Sequence, residues 1–461
     1  MPVSKTRHKT PAQRPVPPPA AVQAEADFFT PARMLVLFLA ICGILVLRDP
    51  QWVRTPTFFA ESGAVFYREQ LLYGFRAILR PYNGYLHPIM RTAAFIESVV
   101  PTRFAAGTCV LIGIVIQAGS YASLLWPGFR YLVRSDRIRL AAALVLAVAL
   151  PANEMIGNCL NTHWHVMLPG MLLLFLPNGA EAGRYRLRSS AAGVLSAAVC
   201  LAAAPMMILL PFAVWRMLKC GGRERIIAAA AVPAFLLQLS VLVASPHTMH
   251  SASAAGTVLL VAKLGTGTLV AWVYRTLFTM TLGQQLARRL SLYPNPGWFL
   301  AALLATAALL TWLAVRTNWH YRRMLLLGGY ISVVSIAASL YTRDLLDWFQ
   351  TVNMVVQFDA ARYFMSACYV LIGLAAVALD RTRRISSDWM KAAMLLLVFL
   401  GGAAGNFRNL QYPIPNWRDY APAVQRWRER RNAPASQLEI PIAPKPWVLS
   451  LPARGATDLH R

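Results

Sequence analysis

Few carboxylates of this chain could do chemistry on the side of a membrane that faces away from the cytoplasm, which we call the outer face. Only 19 of its 461 residues are Asp or Glu, and most of them fall in segments that the charge pattern assigns to the cytoplasm or in the distal tail. A carboxylate that acts as a general base on the outer face must come from the remainder. The remaining acidic residues are Asp49, Glu61, Glu69, Glu97, Glu154, Asp344, Asp347 and Asp359.

Three of these acids also have a simple structural interpretation. Glu61 could cap the N-terminus of a helix lying at the membrane interface. Asp49 stands between Arg48 and Pro50, where ending the first helix is the commoner role. Glu154 lies at a predicted helix end, so a cap and a site residue are equally good interpretations.

Two histidines have a spacing that metal ligands also use. His163 and His165 flank Trp164, but no Cys, Asp or further His stands at a matching interval to complete a ligand set. An interfacial aromatic belt is therefore the favoured interpretation, and no metal site is predicted here. The six cysteines form no C-x-x-C pair and fall mostly in apolar blocks, which favours neither a disulfide framework nor a metal site.

The elements that must position these residues are membrane helices. The chain is 57% hydrophobic and 14% charged, with a mean hydropathy of +0.46. Its net charge of +26 would suggest nucleic acid in a soluble protein, but the basic residues occur in short bursts between apolar blocks. Membrane lipid is therefore the predicted counter-charge and no nucleic-acid partner is expected. The sequence predicts an all-α polytopic membrane protein.

The apolar blocks give a predicted topology. They cover residues 31–48, 104–126, 138–152, 164–178, 190–215, 226–245, 298–315, 324–342, 364–379 and 391–405. The 190–215 block has basic bursts at both ends and Ala204-Pro205 at its centre, which predicts two short helices that enter and return. At about 20 residues per crossing, the total is about eleven transmembrane helices. The basic bursts predict a cytoplasmic N-terminus, and the odd number predicts an extracytoplasmic C-terminus.

Three regions follow from this topology. Residues 1–30 are rich in Pro and Ala without an apolar run, which predicts a disordered cytoplasmic arm; no cleavable signal is evident. Residues 31–405 form the transmembrane domain. Its outer loop 49–103 is long and aromatic, which predicts short interfacial helices. Residues 406–461 form a short extracytoplasmic tail.

The first outer loop carries a motif that resembles a known family. Thr57–Gly63, with the acid at Glu61, looks like the acidic loop motif of bacterial membrane proteins in the GT-C glycosyltransferase superfamily. Other segments are similar to that family in order and spacing. These are Pro81–His87 with Arg91, Asn158–Trp164, Arg362–Phe364, and Ile440–Pro444 with Trp447.

The resemblance implies a GT-C-like fold and a transfer reaction. Such an enzyme, in a bacterial inner membrane, moves a sugar from a polyprenyl-phosphate carrier to an acceptor hydroxyl on the extracytoplasmic face, for cell-envelope glycan or lipid modification. A carboxylate removes the acceptor proton, while positive groups or a divalent cation neutralise the departing phosphate. Glu61 is the implied base and Asp49 the second catalytic candidate.

The same resemblance implies residues that bind the substrate. Guanidinium groups pair with phosphate oxygens in a fork, so the arginines are candidate phosphate partners, although lipid headgroups are an equal alternative for Arg80 and Arg91. The remaining polar residues are candidates for contacts with the sugar or phosphate. The substrate-binding candidates are Arg80, Tyr82, His87, Arg91, Glu154, His163 and Arg362.

One residue departs from the family pattern. Relatives usually carry an acidic pair at this motif, whereas the second member here is Ser62. Serine is a poor metal ligand and no base, which weakens a two-carboxylate site for a divalent cation. Asp49 or Glu154 could supply the missing function, and a catalytically degenerate relative stays an alternative.

A transporter or lipid flippase is the competing class. Such proteins often have internal repeats and ionisable residues in mid-membrane. No convincing repeat relates the halves of this chain, and its acidic residues lie at the ends of the apolar blocks and in outer loops. That distribution favours interfacial chemistry over a transmembrane relay.

Overall fold

The protein is helical. The computed structural model describes residues 28–151, 154–178, 189–245, 254–292, 296–316, 319–342, 361–408, 414–429 and 437–453. Within these ranges the one regular sheet is an antiparallel hairpin of Leu438–Pro441 and Val448–Leu451. The predicted all-α class is confirmed. Most of the predicted disordered arm, and Asp344, Asp347 and Asp359, lie outside the described residues.

Helices follow one another with few long connections. The α-helices are Pro31–Arg48, Gln51–Arg54, Arg68–Tyr73, Pro88–Val99, Ala105–Ala122, Asp136–Ala149, Thr162–Leu174, Ser189–Ala202, Leu210–Lys219, Gly222–Ala244, Ala254–Ala271, Thr279–Leu282, Gln284–Leu292, Pro296–Arg316, Trp319–Thr342, Met365–Arg381, Asp388–Val398, Leu400–Asn406 and Trp417–Glu429. Two π-helical segments cover Ser62–Tyr67 and Trp272–Phe278. The 3₁₀ segments are Gly74–Leu79, Thr102–Phe104, Ser123–Leu125, Pro127–Phe129, Cys159–Asn161, Ala204–Leu209 and Ala361–Phe364.

Several helices are long and apolar enough to cross a membrane. In the described part of the chain these number four, or six if each of two bent helix pairs makes one crossing. The four are Pro31–Arg48, Thr102–Leu125, Gly222–Ala244 and Ala361–Arg381. These helices indicate a membrane-associated protein. The predicted count of about eleven is not confirmed. Two of the other apolar blocks form helices of only 14 and 13 residues, whereas a straight crossing takes about 20.

The 190–215 block is broken where the sequence predicts. Ser189–Ala202 ends just before Pro205, and the following Ala204–Lys219 segment runs at 117° to it. Proline lacks the N–H that would continue the helix and fixes its own φ, which favours a break at this position. The block is therefore two short helices, as the sequence predicts.

Three helices begin with the same kind of cap. Pro31–Arg48, Asp136–Ala149 and Asp388–Val398 each begin after a hydroxyl residue whose oxygen accepts a hydrogen bond from the N–H group three residues later. The capping residues are Thr30, Ser135 and Ser387. Asp380 accepts a bond from Ser135 N at 3.1 Å. That contact brings basic residues near 130–139 and 381–391 to the same end of the molecule.

A buried guanidinium joins these helices at their other end. Arg48, the last residue of its helix, is 2% exposed. Its Nη atoms donate to carbonyl oxygens of Ala147 at 2.6 Å, Leu150 at 2.5 Å and Asn406 at 2.7 Å, and its Nε donates to Phe407 at 3.2 Å. The last carbonyls of a helix have no partner within it and carry partial negative charge. Arg48 satisfies such groups from two other helix ends at once.

Asn406 extends this junction. Its Nδ2 donates to Ala149 O at 2.6 Å and to Thr279 O at 2.9 Å, and its Oδ1 accepts from Gln284 N at 2.7 Å. The junction therefore connects the first helix, the Asp136–Ala149 helix and the chain around residues 279–284.

The C-terminal tail packs on the first loop. Trp417 N donates to Pro56 O at 3.1 Å, and its indole Nε1 donates to Thr102 O at 2.7 Å. Ala443 N donates to Phe58 O at 3.1 Å. Segments more than 300 residues apart are thus joined through backbone groups, and the first loop folds as short helices beneath the tail.

Replacing Arg48 tests the junction. Arg48→Met keeps the length of the side chain but leaves buried carbonyls without donors, which costs about 1–3 kcal/mol for each unsatisfied group. We expect a clearly lower midpoint of thermal unfolding, followed by tryptophan fluorescence in detergent. Arg33→Met, at the exposed start of the same helix, is the matched control. Equal midpoints for the two variants would contradict a stabilising role for Arg48.

Candidate functional site

Three unusual backbone positions occur in the segments between the long apolar helices. Among the described residues other than glycine, Ala60, Asn83 and Glu154 have left-handed φ angles of 44°, 49° and 63°. This conformation costs a residue with a side chain roughly 1–2 kcal/mol. It persists only where the surroundings impose it, and such positions cluster at functional sites. Each of the three is, or adjoins, a residue that the sequence nominates.

The backbone around Glu61 is held by the tail. Ala60 N donates to Ala443 O at 2.5 Å, and this contact fixes the residue just before Glu61. The half-buried Glu61 then precedes the π-helical turn Ser62–Tyr67, a geometry frequent at functional sites. The Glu61 carboxylate is therefore presented by a fixed backbone.

Ser62 has a structural role that an acid could not perform. Its buried Oγ accepts a hydrogen bond from Phe59 N at 2.9 Å and donates to Phe59 O at 2.5 Å. An ionised carboxylate can accept but cannot donate to a carbonyl. Ser62 closes this turn by both accepting and donating, which explains why the second residue of the motif is not an acid.

The Pro81–His87 segment forms a tight turn. Tyr82 and Tyr85 exchange backbone hydrogen bonds of 3.0 and 3.2 Å. Asn83 and Gly84 between them both have positive φ, 49° and 84°, as a type I′ turn requires. The Asn-Gly pair is the strongest sequence signal for this turn. The buried His87 lies with its Nε2 3.2 Å from Tyr82 O, so that carbonyl accepts its N–H.

Aromatic rings surround His87. Its ring centroid lies 5.2 Å from Phe66, 5.0 Å from Tyr85 and 5.7 Å from His163. Tyr82 contacts the same Phe66 ring at 5.5 Å. The structure therefore brings Tyr82, His87 and His163 together, although they come from two separate segments.

His163 and His165 do not converge. His163 Nδ1 donates to Leu160 O at 2.9 Å, which makes Nε2 the acceptor of a neutral ring. His165 instead contacts the hydroxyls of Tyr121 and Tyr369 at 3.4 and 3.3 Å. Their different partners do not support a shared metal site.

Glu154 and Arg362 form an ion pair across the site. Arg362 Nη1 contacts Glu154 Oε2, and both side chains are largely buried. The backbone oxygen of Glu154 accepts hydrogen bonds from Asn158 Nδ2 at 2.8 Å and Asn161 Nδ2 at 2.6 Å. The charge of Glu61 also interacts with Arg362. The Arg362 guanidinium therefore pairs with Glu154, and Glu61 is close enough for its charge to act on the same group.

The other candidates have different partners. Arg91 is fully buried and pairs with Glu69 at 2.8 Å, and the half-exposed Arg80 pairs with the same carboxylate at 3.5 Å. Arg91 also packs over Phe66, so it supports the ring beneath His87. Asp49 ends the first helix, with its N–H donating to Leu45 O at 3.3 Å.

Gln238, which holds the tight turn in place, was not identified from the sequence. Its side-chain amide forms two hydrogen bonds with the backbone of Leu86, at 2.9 and 3.0 Å, and so fastens the tight turn to the Gly222–Ala244 helix. A lone buried amide in an otherwise apolar helix is a signal that could have identified it.

Glu97 is a second residue that the motif analysis left unassigned. It is 1% exposed, in the Pro88–Val99 helix of the first loop. Burial raises the pKa of its carboxyl well above the ordinary value. With Cys109 and Cys159, it forms the one group among the described residues whose ligand atoms could hold a metal ion.

The arrangement around Arg362 suits proton abstraction beside an anion. Glu61 can accept a proton, the guanidinium can stabilise negative charge, and His87 and His163 offer hydrogen-bonding nitrogens.

Comparison with known proteins gives no family. A scan against protein-family models found no match, and a search of curated proteins found no similar sequence.

Proposed function

We propose that this chain is a membrane glycosyltransferase that moves a sugar from a polyprenyl-phosphate carrier to an acceptor hydroxyl on the extracytoplasmic face of a bacterial inner membrane. Its product would be a cell-envelope glycan or a modified lipid. The observation that carries the proposal is the Glu154–Arg362 ion pair, with the Glu61 carboxylate close enough to interact with the Arg362 charge and with His163 and His87 next to it. When an alcohol displaces a phosphate, a negative group can take the proton of the alcohol and a positive group can stabilise the departing phosphate.

The proposed membrane orientation has about eleven crossings, with a cytoplasmic N-terminus and an extracytoplasmic C-terminus. It is supported by the Ser135–Asp380 contact, which gathers two basic segments at one end. It is also supported by Arg48, which joins helix C-termini at the opposite end, next to the first loop. The GT-C-like arrangement belongs to the same proposal.

Each charged group has a role in the proposed reaction. The acceptor hydroxyl gives its proton to Glu61 as its oxygen bonds to the anomeric carbon, and the carbon–oxygen bond to phosphate breaks. The phosphate leaves with the bonding electrons, and Arg362 stabilises its charge. Glu154 orients Arg362 by their ion pair. A guanidinium has five N–H donors, and one carboxylate cannot accept bonds from all of them. Donors of Arg362 therefore remain for the phosphate.

A lipid-linked donor requires an apolar approach at the same interface. Phe75 and Leu79, on the 3₁₀ segment of the first loop, are 74% and 77% exposed. Large apolar side chains exposed beside charged ones are typical of segments that lie in a membrane interface. Arg80 follows directly and is half-exposed, so it is suited to a headgroup or to the carrier phosphate.

Other polar groups complete the proposal. Tyr82, His87 and His163 are proposed to hydrogen-bond the sugar or the phosphate. Because Ser62 supplies no second carboxylate, Arg362 rather than a paired-acid metal site meets the phosphate charge. Adding a chelator to the transfer assay tests for a divalent cation.

Replacing Glu61 tests the base. Glu61→Gln keeps size and polarity but cannot accept the proton, so transfer from polyprenyl-phosphate sugars should fall about 100-fold or more while donor binding persists. The assay uses purified protein in detergent and radiolabelled donors. Glu439→Gln, at an exposed acid of the tail, is the control and should keep full activity. Full transfer by Glu61→Gln would exclude this base, and no transfer by the wild type from any donor would exclude the function.

Arg362→Lys tests recognition of the phosphate. Lysine keeps the charge but loses the fork, and losing one charge-assisted hydrogen bond costs about 1.5–3 kcal/mol. The dissociation constant for polyprenyl phosphate should therefore rise about tenfold to a hundredfold. Arg418→Lys, exposed on the tail helix, is the control. Unchanged affinity in Arg362→Lys would contradict the assignment.

A further inference from the structure

A second group of side chains lies behind the Glu61 turn. Glu97, Cys109 and Cys159 are all buried, and their carboxylate and thiol atoms lie within 4.8 Å of one another. They come from three elements: the Pro88–Val99 helix, the Ala105–Ala122 helix and the Cys159–Asn161 turn. These residues come from separate elements, and their spacing in the sequence does not predict that they lie together.

The backbone makes this convergence possible. A Cβ on Gly113 would lie 3.0 Å from backbone atoms of Asn158 and Cys159, so only glycine allows the helix to approach so closely. Cys109 precedes Gly113 by four residues and therefore lies on the same helix face. The close contact brings the Cys109 thiol onto the Cys159 side.

Glu97 has an unmet requirement. Its carboxyl contacts the Cys109 thiol, but its buried Oε1 has no hydrogen-bond partner among the residues that the structure describes. Buried polar oxygens are nearly always paired, so this atom lacks its usual partner. A cation bound between this oxygen and two thiolates would meet that requirement.

We propose that Glu97, Cys109 and Cys159 form a buried zinc site. Zinc binds cysteine sulfur and carboxylate oxygen in tetrahedral geometry, with neighbouring ligand atoms about 3.3–3.8 Å apart. Small side-chain rotations bring the three atoms to that spacing. Thiols disfavour magnesium and calcium, which prefer oxygen ligands. Binding displaces the two thiol protons and any proton held by the carboxyl.

The site is structural rather than catalytic. Three protein ligands leave the fourth tetrahedral position to a water molecule, but all three ligands here are buried, which keeps substrate away from the metal. The Ser62 hydroxyl lies beside Cys109. Asn161, in the same turn as Cys159, holds the backbone of Glu154. Zinc would thus fasten the loops that present both carboxylates of the candidate site, and this holds whatever reaction that site performs.

Metal content tests the proposal directly. Full-length protein with an affinity tag free of histidine is incubated with zinc sulfate in detergent, passed through gel filtration and analysed by mass spectrometry for metal. We expect one zinc ion per chain in the wild type, none in Cys109→Ser or Cys159→Ser, and at least tenfold weaker binding in Glu97→Gln. Cys200→Ser, at a buried thiol of the Ser189–Ala202 helix, is the matched control and should bind normally.

A second measurement needs no variant. Cobalt in place of zinc should give the wild-type protein a thiolate-to-metal absorption band, which added zinc removes. The proposal is overturned if that band is absent, if the wild type holds no zinc, or if Cys109→Ser and Cys159→Ser retain it. A Cys109–Cys159 disulfide in the unreduced protein, detected by peptide mass spectrometry, would also overturn it. Loss of transfer activity with zinc binding intact would concern the proposed reaction alone.

Discussion

Arg48 shows the constraint on which one end of the molecule, the end that carries the first loop, depends. Helix C-termini present carbonyl groups without internal partners, and burying several of them together is unfavourable unless donors are supplied. Arg48 supplies its N–H groups to the ends of two other helices, and Asn406 adds bonds to Ala149 and Thr279. Its positive charge also suits the negative ends of those helix dipoles. Three helices can therefore end at one level.

That level is where the candidate site is assembled. The first loop leaves the Arg48 helix and returns through the Pro88–Val99 helix, while Glu154 follows the end of the Asp136–Ala149 helix by a few residues. With the helix ends fixed, short connections suffice to bring Glu154 to Arg362 and Glu61 near enough for its charge to act on the same guanidinium. The tail then closes over the loop through Trp417 and Ala443, so the geometry at Glu61 depends on residues near both ends of the described chain.

The sequence predicted what local chemistry determines. The break before Pro205 was predicted and follows from the missing proline N–H. The type I′ turn was not predicted, although the Asn83-Gly84 pair carries its signal. Helix number was harder to predict, because hydropathy gives apolar length but not where a helix stops. Contacts such as Glu154 with Arg362, 208 residues apart, are set by packing and have no signature in spacing. The same limit hid Glu97, Cys109 and Cys159, whose types were visible in the sequence but whose convergence was not.

The strained backbone positions of this site are each held by hydrogen bonds at or beside the residue. The left-handed Ala60 is fixed by the Ala443 carbonyl, and the left-handed Glu154 is fixed by the amides of Asn158 and Asn161. The turn at Asn83 is fastened nearby, where Gln238 binds Leu86. Each strained position costs roughly 1–2 kcal/mol, which one or two buried hydrogen bonds offset. Because the supports come from the tail, from a long apolar helix and from the turn that carries Cys159, the carboxylates are positioned by this whole end of the molecule and not by their own loops. A rigid surround of this kind suits a reaction in which one carboxylate must accept a proton while a neighbouring guanidinium receives a departing anion.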